Sequence, residues 1–252
     1  MINFINENKF RSLAEYDMMD LSILNKSSIL FFQYSELETI FHSLRQSSNN
    51  YILISHGYDD SIDYTSFNKK PICIKKWFAQ NVQYKHPDLI PIPIGIPATG
   101  YRNRIKDIEW LIENAEKLQR TPKNINTVYC SWNPYNMPIR KEVLNNLKVN
   151  SIWDYPQPFI TYCQNSAKHK FVISPPGHGI DCYRTWEALY MGCFPIVIKN
   201  GMYDSWDGLP IIQVNNYSEV TQDLLNYVLT LEYNYEKLDM KYWENLILKY
   251  VT

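Results

Sequence analysis

The sequence predicts an α/β fold made of two halves with a cleft between them, and three observations predict it. Short apolar runs such as YILIS (51–55), KFVIS (170–174) and FPIVI (194–198) have the length and composition of buried strands. Segments of helical spacing separate them, which is the pattern of a parallel sheet with helices on both faces. The polar stretch TPKNIN (121–126) interrupts the alternation, so residues 1–122 and 123–252 are read as the two units.

In the first half, SILFFQY (28–34) reads as a strand and SELETIFHSLRQ as the helix after it. Ser35 and Glu38 have capping-box spacing and place the helix start there. YILIS is the second strand and PICIKKW (71–77) the third. LIPIPIGIP (89–97) is apolar but holds three prolines, which suits an edge strand or extended segment and not a central strand. RIKDIEWLIENAEKLQR (104–120) is an amphipathic helix with Ile105, Ile108, Leu111, Ile112, Ala115 and Leu118 on one face.

Beyond the boundary, TVYCSW (127–132), NSIW (150–153), KFVIS, FPIVI and PIIQV (210–214) read as strands. MPIRKEVLNNL (137–147), PFITYCQNSA (158–167) and CYRTWEALYM (182–191) read as the helices between them, and SEVTQDLLNYVLTL begins the closing helices. Repeated βα units of this kind make two Rossmann-like halves.

The chain has 252 residues, 45% hydrophobic and 20% charged, enough for a sizeable core. A net charge of -1 argues against a general nucleic-acid or anionic-membrane binder. Cys73, Cys130, Cys163, Cys182 and Cys193 are odd in number, scattered and without CxxC spacing, so reduced thiols in a cytoplasmic protein are expected and a zinc site is not. Charges interrupt MINFINENKFRSLAEYD where a signal peptide needs an apolar run, and no segment approaches the ~20 apolar residues of a membrane span. No membrane anchor is expected. The 20 tyrosines and 7 tryptophans are read as core enrichment first and as stacking platforms second.

The chemistry concentrates in SPPGHGIDCYRTWEALYMGCFPIVI (174–198). A buried-strand pattern feeds a Pro/Gly loop, and a helix follows. In parallel α/β sheets the loops after strand carboxyl ends hold the ligand. Gly177 and Gly179 allow close approach of backbone, and the unpaired N–H groups of a helix start favour an anion. Arg184 and Glu187 are three apart and share a helix face, while Cys182, Trp186 and Leu189 form the apolar face. An arginine grips phosphate with two hydrogen bonds. A glutamate accepts from two sugar hydroxyls. Together they describe a nucleoside diphosphate; the structural alternative is a surface ion pair beside an ordinary turn. A dinucleotide site fits less well, because Cys182 stands where GxGxxG needs its third glycine and FPIVI ends in Lys199-Asn200 without an acid for the ribose. Lys199 leaves an NADP-binding oxidoreductase open as a rival, and a non-catalytic nucleotide- or sugar-binding module is the other.

FVISPPGHGIDCYRTWEALYMGCFPIVI resembles the donor-binding segment of exostosin-like glycosyltransferases of the GT-B fold, whose pattern there is an apolar strand, a Pro/Gly loop, Arg-x-x-Glu-Ala-Leu, a glycine and a Pro-Ile-Val strand. The fit covers Phe171 to Ile198, and KKWFAQN and LIPIPIGIP resemble the N-terminal half of small glycosyltransferases of this kind. The resemblance implies transfer of a sugar from a nucleotide-diphosphate donor, UDP in preference to GDP, to a glycan or other hydroxyl acceptor. It implies no required cofactor and metal-independent chemistry, in which a helix N-terminus and basic side chains stabilise the leaving diphosphate.

For that chemistry Arg184 is the first candidate and Arg140, on the helix after TVYCSW, the second; a solvated helix position is the alternative for Arg140. Glu187 is assigned to the ribose. Ser174, Gly177, His178, Gly179 and Asp181 line the loop, with an N-cap as the alternative role of Asp181. An inverting transfer needs a base from the first half. HGYDD, after YILIS, offers His56, Asp59 and Asp60; a polar surface loop is its alternative. Trp132, Tyr203 and Trp206 are candidates for stacking on a base or sugar.

Overall fold

The computed structural model describes residues 2–14, 28–98, 105–135 and 137–251. Arg104 of the predicted helix and Asn136 of the loop WNPYN lie outside these residues. A short helix α1 (Glu7–Arg11) precedes a four-stranded parallel sheet, β1 (Ile29–Phe32), β2 (Tyr51–Ser55), β3 (Ile74–Ala79) and β4 (Leu89–Pro91), in that spatial order. Helices α2 (Leu37–Leu44) and α3 (Tyr64–Asn68) fall between its strands, and α4 (Ile105–Gln119) follows it. β4 is at the edge, where its one proline, Pro91, costs no ladder bond to a further strand.

The second sheet is also parallel. It contains β5 (Asn124–Ser131), β6 (Ser151–Asp154), β7 (His169–Ile173), β8 (Phe194–Ile198) and β9 (Ile212–Val214) in the order β6-β5-β7-β8-β9. Its helices are α5 (Pro138–Asn146), α6 (Phe159–Ser166), α7 (Tyr183–Tyr190), α8 (Gln222–Val228) and α9 (Met240–Leu248). The chain leaves β5 to one side to make β6, then returns across it to make β7. That reversal is a topological switch point, and the crevice outside the carboxyl ends of β5 and β7 is where such sheets bind ligands. The described strands of the first sheet run in simple sequence order and have no such reversal.

Both sheets are covered on both faces, which explains why their strands are continuously apolar rather than alternating. Leu53, Trp77 and Ala79 point to one side of the first sheet, while Ile52, Ile54 and Phe78 point to the other. In the second sheet Val128, Cys130, Phe171 and Ile173 face outward layers, while Tyr129, Val172 and Val197 face inward. The two inward faces share one core, with Ile108, Leu111 and Ala115 of α4 and Trp186, Leu189 and Tyr190 of α7 in it.

The expected boundary at 122/123 separates the sheets, but packing crosses it. α4 lies against α6 of the second unit, and its Gln119 carboxamide donates to the Tyr190 carbonyl at 3.1 Å. Beyond α9, Tyr250 returns to β3, 6.0 Å from Phe78 between ring centroids and 5.0 Å from the Lys76 ammonium. The Ile5 N–H donates to the Tyr190 hydroxyl at 2.7 Å, and that hydroxyl donates to the Leu238 carbonyl at 3.0 Å.

Two local expectations are corrected. The capping box lies two residues earlier than Ser35/Glu38: the Gln33 N–H donates to the Glu36 carboxylate at 2.7 Å, and a 3-10 turn at Tyr34–Glu36 leads into α2. The alternative of a surface ion pair at Arg184 and Glu187 does not hold either, since α7 is buried from Thr185 through Tyr190, Glu187 included.

Candidate functional site

The switch point opens into a cavity of about 420 Å³ between the two sheets. This is within the ~300–1,000 Å³ of small-molecule sites. Most of its wall belongs to the second unit: Ser131 at the end of β5 with Trp132 and Asn133 of the loop after it, Arg140 on α5, the loop after β6 with Pro156 and Gln157, Phe159 and Tyr162 on α6, and residues 177–179 and 181–184 with Glu187. Asp59 and Ile94 come from loops of the first unit.

Arg140 reaches the cavity because Pro138 starts α5 and the first turn projects it over the glycine loop. Its Nε–H donates to the Pro176 carbonyl at 3.2 Å, and Gly177 leaves it room: a Cβ there would stand 3.2 Å from Arg140 Nη2. Arg184, in the first turn of α7, lies 6.0 Å over the Trp132 ring. The Trp132 indole N–H donates to the Arg140 carbonyl at 3.3 Å, so one tryptophan supports both arginines. Among the described residues neither guanidinium forms an ion pair, and the Arg184 Nε is buried without a hydrogen-bond partner. Burial first, then repulsion from Arg184, lowers the Arg140 pKa. The two guanidinium groups repel each other and one buried donor is unmet, and an anion placed between them would relieve both.

Glu187 is one turn farther along α7, 6% exposed and on the cavity wall. Opposite it on α6, the Tyr162 hydroxyl is buried without a hydrogen-bond partner. Burial and the neighbouring Glu187 charge raise the Tyr162 pKa well above its ordinary value, so it remains a neutral donor. The cavity therefore has a cationic end at Arg140 and Arg184 and a second end where the Glu187 carboxylate and the neutral Tyr162 hydroxyl line the wall.

The other expected residues divide. Gly177, His178, Gly179 and Asp181 line the cavity. Ser174 does not; it is buried, with its Oγ 2.9 Å from the Thr185 Oγ1, and it fastens α7 to the end of β7. Asp181 is not the N-cap, which is Cys182. Its carboxylate accepts from the Ile94 N–H at 2.7 Å and from the Trp186 indole N–H at 2.9 Å, so it ties the glycine loop to the first unit. Burial raises its pKa to about 7.

Of the base candidates only Asp59 lines the cavity; Asp60 is exposed outside it. His56 faces inward, 1% exposed, with Nε2 3.1 Å from the Pro93 carbonyl and its ring against Phe10. A carbonyl only accepts, so Nε2 carries the proton, and burial lowers the pKa to about 4. Tyr203 and Trp206 belong to the core: Trp206 meets Trp186 edge-on at 5.0 Å and Tyr203 at 5.4 Å.

Sequence reasoning missed Tyr162, Phe159, Pro156 and Gln157. The available signal was positional, since the loop after β6 opens on the same sheet edge as the loop after β7. It also missed Asn81, described below. No cluster of three or more His, Cys, Asp or Glu residues suited to a metal ion occurs among the described residues, and none of their helices is long and apolar enough to cross a membrane. Comparison with protein-family models gives no match, and no curated protein matches the sequence.

Proposed function

We propose that the protein is a glycosyltransferase of GT-B-like architecture that moves a sugar from a nucleotide-diphosphate donor, UDP-linked in preference to GDP-linked, to a hydroxyl of a glycan or other acceptor. The observation that carries this reading is the pair Arg140 and Arg184 on one cavity wall, with the Arg184 Nε buried and without a hydrogen-bond partner, at the switch point of a parallel sheet. In this reading the diphosphate lies between the two guanidinium groups and the start of α7. Glu187 accepts from the ribose hydroxyls. As the bond from the anomeric carbon to the diphosphate oxygen breaks, its electron pair goes to the diphosphate, where the arginines stabilise the charge. The acceptor oxygen forms the new bond to that carbon. If the transfer inverts configuration, Asp59 takes the acceptor proton. Neither a metal nor another cofactor is part of the scheme.

Calorimetry with UDP, GDP, CMP, ADP and NADP tests the reading. Selective binding of UDP or GDP, weakened about 30-fold or more by Arg184→Ala, supports it; that factor is roughly the ~2 kcal/mol of one charge-assisted hydrogen bond. Binding of NADP alone favours an oxidoreductase and refutes the proposal. Nucleotide binding with no turnover of any nucleotide sugar reduces the protein to a binding module.

A further inference from the structure

Gln80 and Asn81, at the carboxyl end of β3, are both fully buried amides, and their bonds form a clamp on the neighbouring loop. Gln80 Oε1 accepts from the Gly57 N–H at 3.1 Å, and its Nε2 donates to the Tyr58 carbonyl at 2.9 Å. Asn81 Nδ2 donates to the carbonyls of Tyr58 at 3.1 Å and Asp59 at 3.3 Å. On its other side Asn81 Oδ1 accepts from the Asp181 N–H at 2.9 Å. Gly179 presses on the same carboxamide, where a Cβ would stand only 2.7 Å from Nδ2. Asn81 also has φ +54°, the only positive value among described non-glycine residues. Left-handed backbone is tolerated by asparagine and is retained where the surroundings demand it.

One side chain thus joins two loops that belong to different units, the 179–181 segment of the cationic cavity and the segment that presents Asp59 to that cavity. We infer that Asn81 is a positioning residue: its carboxamide couples occupancy of the 177–184 loop to the placement of Asp59. The inference rests on the donor-site reading above. Neither Asn81 atom lines the cavity, so it acts through Asp59 and the glycine loop without touching the ligand.

Asn81→Asp tests this with a change of one atom. It keeps an oxygen for the Asp181 N–H and the tolerance for positive φ, but it replaces the donor to Tyr58 and Asp59 with an acceptor. The readouts are backbone hydrogen exchange with and without UDP, and release of UDP from UDP-sugars. In the wild type, UDP should slow exchange at both 177–184 and 57–60. In the variant, slowing at 177–184 should persist with the UDP Kd within about threefold, while slowing at 57–60 disappears and kcat falls at least tenfold at constant donor KM. If Asn81→Asp does not fold, Asn81→Gly, which accepts the same φ but drops both arms of the link, is read by the 57–60 response alone: loss of its slowing by UDP supports the coupling and its retention overturns it. Retention of the UDP response at 57–60, or an unchanged kcat, overturns the coupling while leaving the donor site intact. A wild type that binds neither UDP nor GDP overturns the donor reading, and this inference with it.

Discussion

Replacing Asp181 with asparagine should flatten the pH dependence of stability. The Asp181 carboxyl is buried, accepts only neutral N–H groups, and has its pKa raised by burial to about 7, against about 3.8 for an ordinary aspartate. The folded protein therefore keeps a proton that the unfolded chain releases between those values. Its stabilising contribution is complete below pH 4 and is lost as pH rises through 7. Between pH 5 and pH 8 the loss amounts to about 2.5 kcal/mol, at ~1.4 kcal/mol for each pH interval over which the protonation states differ. For a protein of this size that is a fall in Tm of about 5–10 °C. Other groups titrate in the same range, His56 in the opposite sense, since its lowered pKa removes stability as pH falls from 6.5 towards 4. These contributions are common to both proteins and cancel in the difference. Thermal denaturation of wild type and Asp181→Asn at pH 5, 6, 7 and 8 should give a difference in Tm that moves in favour of the variant by about 5–10 °C across the series. Parallel curves would refute the reasoning, because they require a carboxyl that is already charged at pH 5 in the folded protein.

Further outcomes follow from other buried groups. The Lys123 ammonium donates to the carbonyls of Leu118, Ala167 and Met191 at 3.2, 2.8 and 2.9 Å, closing the ends of α4, α6 and α7 together. Lys123→Met should cost about 2–4 kcal/mol in a chemical denaturation experiment, with UDP affinity unchanged because the cavity is at the opposite end of α7. Gly95 has φ +68°, and an added Cβ would stand 2.1 Å from the Ile5 carbonyl oxygen. Gly95→Ala should therefore lose at least ~3 kcal/mol, seen as a collapse in soluble yield or Tm, and an unchanged Tm would contradict the close approach of the two backbones. Nitrogen-proton correlation spectra should show His56 as the neutral Nε2–H tautomer from pH 8 down to 5; an imidazole titrating near 6.5 would show that it is not buried.

Much of the fold was legible because its signals are local. The covered parallel strands read as apolar runs, and two of them, YILIS and FPIVI, have the same limits in the structure. Pro138 at the start of α5 and Pro91 at the end of β4 are equally local constraints. The candidate site was partly legible, since Gly177, Arg184 and Glu187 lie within one strand-loop-helix segment and its topology brings them to one wall. What was missed depended on distant neighbours. Asp181 has N-cap spacing in sequence, yet its carboxylate is occupied by Ile94, 87 positions away. His56 looks like a base beside Asp59 and Asp60, but strand geometry turns its ring into the core against Phe10.

By itself the sequence determined the class of fold, the two-part order of its strands, and the glycine loop between β7 and α7, because hydrophobic period, turn chemistry and helix starts act over a few residues. Only the tertiary structure decided that Arg140 joins Arg184, that Tyr162 faces Glu187, and that of three candidate bases Asp59 alone reaches the cavity. It also decided that α4 and Tyr250 cross the boundary between the units. Those outcomes depend on which strands become neighbours and on which apolar faces are buried together, and both are set by the whole chain at once.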